Sequence, residues 1–288
     1  MRKWYREYMS SLKDTAVEEL FDLYLFRPFA FLLVKLVYRT SITPNQLSVS
    51  SMITGILSSI FFSLGTVTSF LVGGILYGLT RVLDCSDGMV ARLKKNGTMI
   101  GRIVDGTVDY VNGVVIYVGF FVGINRAGFD FFLPNLILVL GTGLCMIFHS
   151  IVIDYYRSQF LAHALGKKRS PREDKEMFSK ELKKLKKKKG RLVDKFFIHL
   201  YLGYSHVQVN QAVKKRVYKK SDYYRTNKRI MQLWSLIGSS TYIFAFMISG
   251  ILFRPTILFW YAIVAANLFT CILWIIQARK NHRIILSS

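Results

Sequence analysis

Acidic residues and cysteines are both scarce in this chain. Only 17 of its 288 residues are Asp or Glu, against 40 Lys or Arg, which gives a formal net charge of +23. The three cysteines fall at or within apolar segments, so no disulfide framework is implied. Residues 1–19 are charged and amphipathic, with no small-residue cleavage site after an apolar core, so we expect no cleaved secretory signal. These absences argue against a disulfide-stapled secreted protein.

Long apolar runs, in contrast, are abundant. The chain is 52% hydrophobic and 15% aromatic, and its mean hydropathy is +0.30. A helix of roughly 20 apolar residues crosses a bilayer core that is ~30 Å thick. Five runs approach that length, at residues 45–64, 67–83, 131–153, 230–253 and 256–277, and residues 103–124 qualify if their two aspartates lie near one membrane surface. The sequence therefore predicts an all-α integral membrane protein with six transmembrane helices.

The remaining segments divide the chain into four parts. Residues 1–40 are amphipathic, and because Arg27, Pro28 and Lys35 interrupt their apolar stretch, we expect an interfacial helix there and no seventh span. Residues 41–165 hold the first four transmembrane helices, residues 166–229 form a basic loop with possible interfacial helices, and residues 230–288 hold the last two transmembrane helices and a tail.

The distribution of basic residues predicts the orientation. Residues 167–229 contain 22 Lys or Arg. Because cytoplasmic loops carry the excess of positive charge, this loop, both termini and the turn at 90–102 are expected on the cytoplasmic side. Such a loop would lie against anionic lipids, at ~1 kcal/mol per basic residue near the surface. Nucleic acid is a rival partner, but the loop has no recognisable nucleic-acid motif and is flanked by membrane spans, so we expect none.

Four of the chain's 17 acidic residues are aspartates within residues 84–109. Asp84 and Asp87 are three residues apart, and Asp105 and Asp109 are four apart, so each pair shares one face of a helix. A hydrophilic turn separates the pairs, so two antiparallel helices would present four carboxylates across one gap. Because carboxylates at membrane depth are costly and repel one another, they need a concentrated positive charge. All-oxygen ligands suit Mg²⁺ or Mn²⁺.

Small residues and an arginine accompany these aspartates. Gly88, Ala91 and Gly101 share the aspartate faces and would let a ligand approach the backbone, while Arg92 could pair with a phosphate. Together the pattern indicates phosphoryl transfer assisted by two metal ions. Each part has a plainer interpretation: the small residues could serve helix packing, and Arg92 could be a positive-inside residue.

A membrane transporter is the alternative from a different class. Intramembrane aspartates such as Asp84 and Asp87 could form a path for a cation or a proton. Such a protein would show paired broken helices in its two halves. The sequence has no such pair, and we favour the enzyme.

The complete pattern D-x2-D-G-x2-A-R-x8-G-x3-D-x3-D, from Asp84 to Asp109, resembles the signature of the CDP-alcohol phosphotransferases (CDP-alcohol phosphatidyltransferases). The six-helix arrangement is also similar. The resemblance implies that a hydroxyl group attacks the β-phosphorus of a CDP-ester, forming a phosphodiester and releasing CMP. It also implies two ions, one held by Asp84, Asp87 and Asp105 and the other by Asp84, Asp105 and Asp109, with Asp109 as the proton acceptor.

The same resemblance implies the substrate sites. The implied CDP contacts are Pro44, Asn45, Gly88, Ala91, Arg92, Thr98 and Gly101. For Pro44 a plain helix start is an equal interpretation. Arg157 resembles an arginine that binds the acceptor's phosphate in relatives, although an interfacial Tyr/Arg anchor would look alike.

The identities of the two substrates are less specified. CDP-diacylglycerol is the expected donor. The segment at 22–28, followed by Thr-Pro-Asn, resembles relatives that use inositol phosphate, and this acceptor is favoured. Glycerol phosphate, serine, and an inositol or amino alcohol without phosphate stay open. Similar proteins commonly dimerise, so a homodimer is a further expectation, without a derivable interface.

Overall fold

The computed structural model describes residues 2–128, 132–166 and 218–286, and every regular element within these ranges is a helix. The described helices are α1 (Arg2–Ser11), α2 (Arg27–Val37), α3 (Pro44–Ser63), α4 (Val67–Lys94), α5 (Met99–Arg126), α6 (Phe132–Ala164), α7 (Lys220–Trp234), α8 (Ser239–Ile251), α9 (Thr256–Phe259) and α10 (Ala266–Leu286). Two π-helical turns, Asp22–Phe26 and Trp260–Ala265, lead into α2 and α10.

Six helical stretches are long and apolar enough to cross a membrane. They are Pro44–Ser63, Val67–Lys94, Val104–Arg126, Phe132–Ala164, Lys220–Ile251 and Thr256–Asn281. The prediction of an all-α integral membrane protein with six spans is therefore confirmed. Several helices extend beyond the predicted apolar runs. Helix α4 continues beyond residue 83 to Lys94, α6 continues beyond residue 153 to Ala164, and the fifth stretch begins at Lys220, ahead of its apolar part. Polar residues are included in each of these extensions.

The lipid-facing surface is clearest on α6. Ile137, Leu140, Leu144 and Ile147 are each about 60% exposed, and their spacing places them on one side of the helix. In a soluble protein, an apolar helix face of this kind would have to be covered by another protein surface. In a membrane, lipid tails cover it. The exposed apolar stripe is thus consistent with the membrane assignment.

Helices α3, α4, α5 and α8 form the body that carries the candidate site. An aromatic cluster fills its centre, where Phe120 packs against Phe62, Phe70 and Phe246 with ring centroids 5.2–5.7 Å apart. Small residues bring α3 and α5 close together, since a Cβ on Gly119 would collide with the carbonyl of Ser59. Such close backbone approach is typical of membrane helices, which associate by packing and hydrogen bonding.

Threonine caps define where the helices of this body begin. Thr43 forms a capping box with Gln46 at the start of α3, and Thr66 forms one with Ser69 at the start of α4. Pro44 occupies the first turn of α3. Its implied contact with CDP is compatible with this position and stays a prediction.

The N-terminal segment packs on the last turns of α4. Phe26, Ala30 and Val34 share a buried cluster with Met89 and Val90 of α4. The outer face of α2 keeps large apolar side chains exposed. These side chains are Phe29, Leu32 and Leu36. An exposed apolar face on a short helix fits the predicted interfacial position, which stays a prediction.

The basic loop falls largely outside the described residues. Residues 167–217 are not described, so the predicted interfacial helices in that segment stay predictions, as do its contacts with anionic lipids. The part that is described, from residue 218 onward, leads directly into α7.

Candidate active site

Three of the four predicted aspartates meet between the second half of α4 and the first half of α5. Carboxylate oxygens of Asp84, Asp105 and Asp109 all lie within 4.8 Å of one another. Asp84 and Asp105 are half-buried, whereas Asp109 is exposed. Asp87 is buried, stands outside this group of three and accepts a hydrogen bond from the Ser48 hydroxyl of α3.

The donor set fits a divalent cation. The three clustered groups are carboxylates, the hard oxygen ligands that Mg²⁺ and Mn²⁺ prefer. Arg81 forms an ion pair with Asp84, and Lys13 lies near enough to interact electrostatically with Asp105. A cluster with excess negative charge within apolar helices is strongly stabilised by a cation. Asp84, Asp105 and Asp109 could hold one ion, and Asp87 lies near enough to interact electrostatically with all three.

The turn between α4 and α5 brings the two acidic faces together. Lys95 adopts a left-handed conformation, with φ of 52°, and so ends α4. Thr98 then caps α5 by accepting a hydrogen bond from the Gly101 amide at 2.9 Å. A connection this short makes the helices antiparallel neighbours, which is the arrangement that the spacing of the aspartates requires.

A cavity of about 280 Å³ adjoins the aspartates. It lies between the start of α3, the end of α4 and the turn into α5. Its lining residues are Thr43, Pro44, Asn45, Ser48, Asp87, Gly88, Ala91, Asn96, Gly97, Thr98, Gly101, Arg102 and Asp105. Six of the seven residues implied for CDP binding are among them. Arg92 is not among the lining residues, and neither are Asp84 and Asp109.

Two helix N-termini face this cavity. Helix α3 begins at Pro44 and α5 at Met99, and the capping threonines of both, Thr43 and Thr98, line the cavity. Free backbone amides and the helix dipole make such ends favourable to phosphate groups. Thr98 was implied as a CDP contact by resemblance alone, and the capping geometry supplies a physical reason for an anion to bind here.

At Gly88 and Gly101, two glycines of the cavity lining, neighbouring side chains lie close to the backbone. A Cβ on Gly101 would lie 2.9 Å from Asn45 Oδ1 and 3.0 Å from Thr98 Oγ1. At Gly88, a Cβ would lie 3.3 Å from Arg92 Nη1, so the guanidinium group rests against this glycine. Arg92 is half-buried, and its Nε donates to the carbonyl oxygen of Ser11. The guanidinium group therefore reaches the cavity wall but is anchored on the N-terminal segment.

Arg81 and Asp22 are parts of the site that the sequence analysis missed. Arg81 donates from Nη1 to Asp84 at 2.6 Å, and from Nε and Nη2 to the two Asp22 oxygens at 2.9 and 2.6 Å. Burial acts to raise the pKa of Asp22, but the Arg81 guanidinium group outweighs it and the pKa is lowered. The available signal was a cation inside a transmembrane helix, three residues before the first aspartate.

Arg157 lies apart from the cavity. Its guanidinium group contacts Glu19 at 3.3 Å and Asp154 at 3.5 Å, and it is not among the lining residues. Glu19 is in turn fixed by the Ser240 amide at 2.8 Å. The acceptor role of Arg157 stays a prediction.

The fold and the site define a class of protein: a multi-pass membrane protein with an acidic, oxygen-donor centre beside a cavity suited to phosphate groups. Residues 41–172 match the family described as CDP-alcohol phosphatidyltransferase. This segment, a little under half of the chain, is similar to that family, which is a family of transferases. Its members use a CDP-alcohol donor, an alcohol acceptor and generally divalent metals.

One curated relative is similar over a short stretch. The "Bifunctional IPC transferase and DIPP synthase" of Thermococcus kodakarensis is 40% identical over 73 residues, which is 25% of this chain. The match covers 16% of the relative's own length, so this chain spans only a small part of that protein.

Proposed function

We propose that the protein is a CDP-alcohol phosphotransferase of phospholipid synthesis. It would transfer a phosphatidyl or similar phospho-alcohol group from a CDP-ester, foremost CDP-diacylglycerol, to an alcohol acceptor and release CMP. One observation carries this proposal. The carboxylates of Asp84, Asp105 and Asp109 meet directly beside a cavity lined by six residues of the implied CDP site.

Donor binding would use the cavity between α3, α4 and α5. The N-terminal ends of α3 and α5 favour phosphate oxygens there. Gly88 and Gly101 leave room for the nucleotide close to the backbone, because a side chain at Gly101 would collide with Asn45. Arg92, lying against Gly88, needs only a small side-chain movement to reach a phosphate.

The transfer step would take place at the edge of this cavity. Asp109 would accept the proton of the acceptor hydroxyl, the role that the family resemblance implies for this position. The acceptor oxygen then bonds to the β-phosphorus, while the bond from that phosphorus to the oxygen bridging it to CMP breaks. The departing CMP keeps the bond's electron pair. Divalent ions held by the aspartates, two in number in this proposal, would neutralise charge on the phosphate oxygens.

The acceptor is proposed to be an inositol phosphate. Two features support it: the resemblance of residues 22–28 and the following Thr-Pro-Asn to relatives that use this acceptor, and the presence of Arg157, which could bind the acceptor's phosphate. To do so, Arg157 would exchange its contact with Glu19 for the phosphate. Glycerol phosphate, serine, and alcohols without phosphate remain the candidates to compare.

The orientation and assembly of the enzyme follow from the same proposal. The basic loop would hold the catalytic side of the protein at the cytoplasmic leaflet, against anionic lipids. The protein would act as a homodimer, with each subunit carrying a complete set of aspartates.

Release of CMP tests the proposal directly. Purified protein in lipid nanodiscs would receive CDP-diacylglycerol, Mg²⁺ or Mn²⁺, and one alcohol at a time, with CMP measured by chromatography. We expect CMP in at least one reaction, foremost with inositol phosphate. No CMP with any acceptor, after CDP-esters other than CDP-diacylglycerol have also been tried, would reject the enzyme. Cation or proton uptake into vesicles without CMP would favour the transporter.

A further inference from the structure

The N-terminal segment, residues 2–43, contacts all three basic residues of α4. The carbonyl oxygen of Ser11 accepts a hydrogen bond from Arg92 Nε, and the Asp22 carboxylate forms an ion pair with Arg81. Lys94 Nζ donates to the carbonyl oxygens of Thr40 and Ile42, both at 2.9 Å. Nearly all of this segment lies before the matched family region, which begins at residue 41. These contacts suggest that the segment contributes to the site as well as to membrane attachment.

Arg81 is the cation that touches the acidic centre, and its geometry is fully fixed. One side of the guanidinium group forms a bidentate pair with Asp22, and the remaining nitrogen binds Asp84. The three side chains are 14%, 6% and 13% exposed, respectively, so water screens the pairing little. A bidentate arginine–carboxylate pair is directional, so Asp22 determines where Arg81 points, and Arg81 determines where Asp84 points.

The charges of these three groups explain why both partners are needed. Arg81 alone would orient Asp84 but would also cancel its negative charge. A bound cation needs that negative charge. Asp22 restores the balance, since two carboxylates and one guanidinium group leave a net charge of −1. Asp84 is thus held in place while the centre keeps its attraction for a divalent ion.

The backbone at Asp22 fits this positioning role. Asp22 is the first residue of the π-helical turn Asp22–Phe26, which runs directly into α2. Such π-turns interrupt regular helices and often occur at functional sites. The buried Cys85 thiol also donates to Asp22 Oδ1, at 3.8 Å, so α4 contacts this carboxylate through two of its residues.

We propose that Asp22, acting through Arg81, is a positioning residue for the metal ligand Asp84. The inference rests on the proposed function, because it concerns the same acidic centre. It assigns to Asp22 and Arg81 an effect on metal affinity that a purely structural ion pair would lack.

The experiment measures Mn²⁺ affinity without any substrate. Full-length protein in a neutral detergent would be titrated with Mn²⁺, and free Mn²⁺ would be followed by its electron paramagnetic resonance signal. We expect Asp22→Asn to weaken Mn²⁺ binding about 10-fold or more, the usual cost of losing a group that orients a metal ligand. Asp22→Glu, which keeps the carboxylate, should recover part of that loss.

Two further variants separate positioning from general damage. Arg81→Lys keeps the positive charge but cannot bind both carboxylates as a fork, so it should also weaken Mn²⁺ binding. Glu7→Gln removes another ion pair of the N-terminal segment, with Lys35 of α2, away from the aspartates. This control should bind Mn²⁺ as the wild type does.

Several outcomes would overturn the inference. Mn²⁺ affinity within about twofold of wild type in Asp22→Asn, with only the thermal midpoint lowered, would make Asp22 structural. An equal loss of Mn²⁺ affinity in Glu7→Gln would show that the effect is not specific to Asp22. A wild-type protein that binds no Mn²⁺ would contradict the metal centre on which the inference depends. If Asp22→Asn does not fold, an unchanged Mn²⁺ affinity in Arg81→Lys would contradict the inference. CMP release by the wild type is measured separately, so loss of this inference leaves the proposed function standing.

Discussion

At the scale of single residues, the four aspartates are chemically equal but lie in different surroundings. Asp87 is buried against the Ser48 hydroxyl, and Asp84 is held by Arg81. Asp105 is half-buried, while Asp109 alone is exposed. A carboxylate that must receive a proton from an incoming molecule has to be reachable, whereas one that only binds an ion can be fixed by its neighbours. The surroundings therefore favour the division of roles proposed above.

Replacement of Asp109 by Asn tests its role as the base. The amide has nearly the same shape but cannot accept a proton from the alcohol, so kcat for CMP release should fall about 100-fold or more. The thermal midpoint should stay near that of the wild type. Asp222→Asn, at an exposed acid early in α7, provides the matched control with unchanged kcat.

The Mn²⁺ dependence of this variant distinguishes its two possible defects. A rate that remains low at every Mn²⁺ concentration supports a base. A rate restored by high Mn²⁺ would show that Asp109 serves only as a ligand, and a kcat within about threefold of wild type at all concentrations would exclude both roles.

At the scale of helices, the connection between α4 and α5 determines the site. The left-handed Lys95 ends one helix, and Thr98 starts the next. Because only residues 95–98 separate the helices, the two acidic faces cannot move far apart. The cap has a second consequence, because Thr98 and Gly101 at the start of α5 line the cavity. The first amides of a helix lack intrahelical partners and favour a phosphate there.

The contribution of the start of α5 to phosphate binding can be measured by comparing two threonine caps. Thr98→Ala and Thr66→Ala each remove an N-cap, which should cost about 1 kcal/mol of helix stability. Only Thr98 lines the cavity, while Thr66 begins α4 at its far end. We therefore expect a several-fold rise in KM for the CDP-ester with Thr98→Ala, and an unchanged KM with Thr66→Ala. Equal KM values in the two variants would show that Thr98 acts only as a helix cap.

The helical part of the site could be predicted from the sequence, and the tertiary part could not. The intervals between Asp84, Asp105 and Asp109 follow the helical period, so their shared faces were predictable, and the hydrophilic residues between them indicated the turn. The pair of Asp22 and Arg81 joins residues 59 positions apart, and no local pattern encodes that distance. Arg157 was identified by resemblance, and its contact with Glu19 likewise depends on how distant segments dock.

At the scale of the whole molecule, a bound cation should join α4 to α5. Ligands from both helices would then have to separate before the protein unfolds, so binding stabilises the folded state. At a Mn²⁺ concentration 100 times its dissociation constant, the gain is about 2.7 kcal/mol.

Thermal unfolding provides the measurement. We expect Mn²⁺ to raise the midpoint of the purified protein by several degrees, and a chelator to reverse the rise. Ser48→Ala, which removes the partner of Asp87 but none of the three clustered carboxylates, should keep most of this shift, whereas Asp105→Asn should lose most of it. If the thermal midpoint of the wild-type protein does not change with Mn²⁺, this result would contradict a metal centre at these aspartates.

The docking of the N-terminal segment has a practical consequence for dissecting this protein. A shortened version that starts at residue 41, where the family match starts, would discard the carboxylate that faces Arg81. The guanidinium group would then neutralise Asp84 with nothing to offset it, inside an apolar helix bundle. Such a fragment could insert into membranes and still be inert, and its inactivity would reflect the missing forty residues and not the chemistry of the family domain.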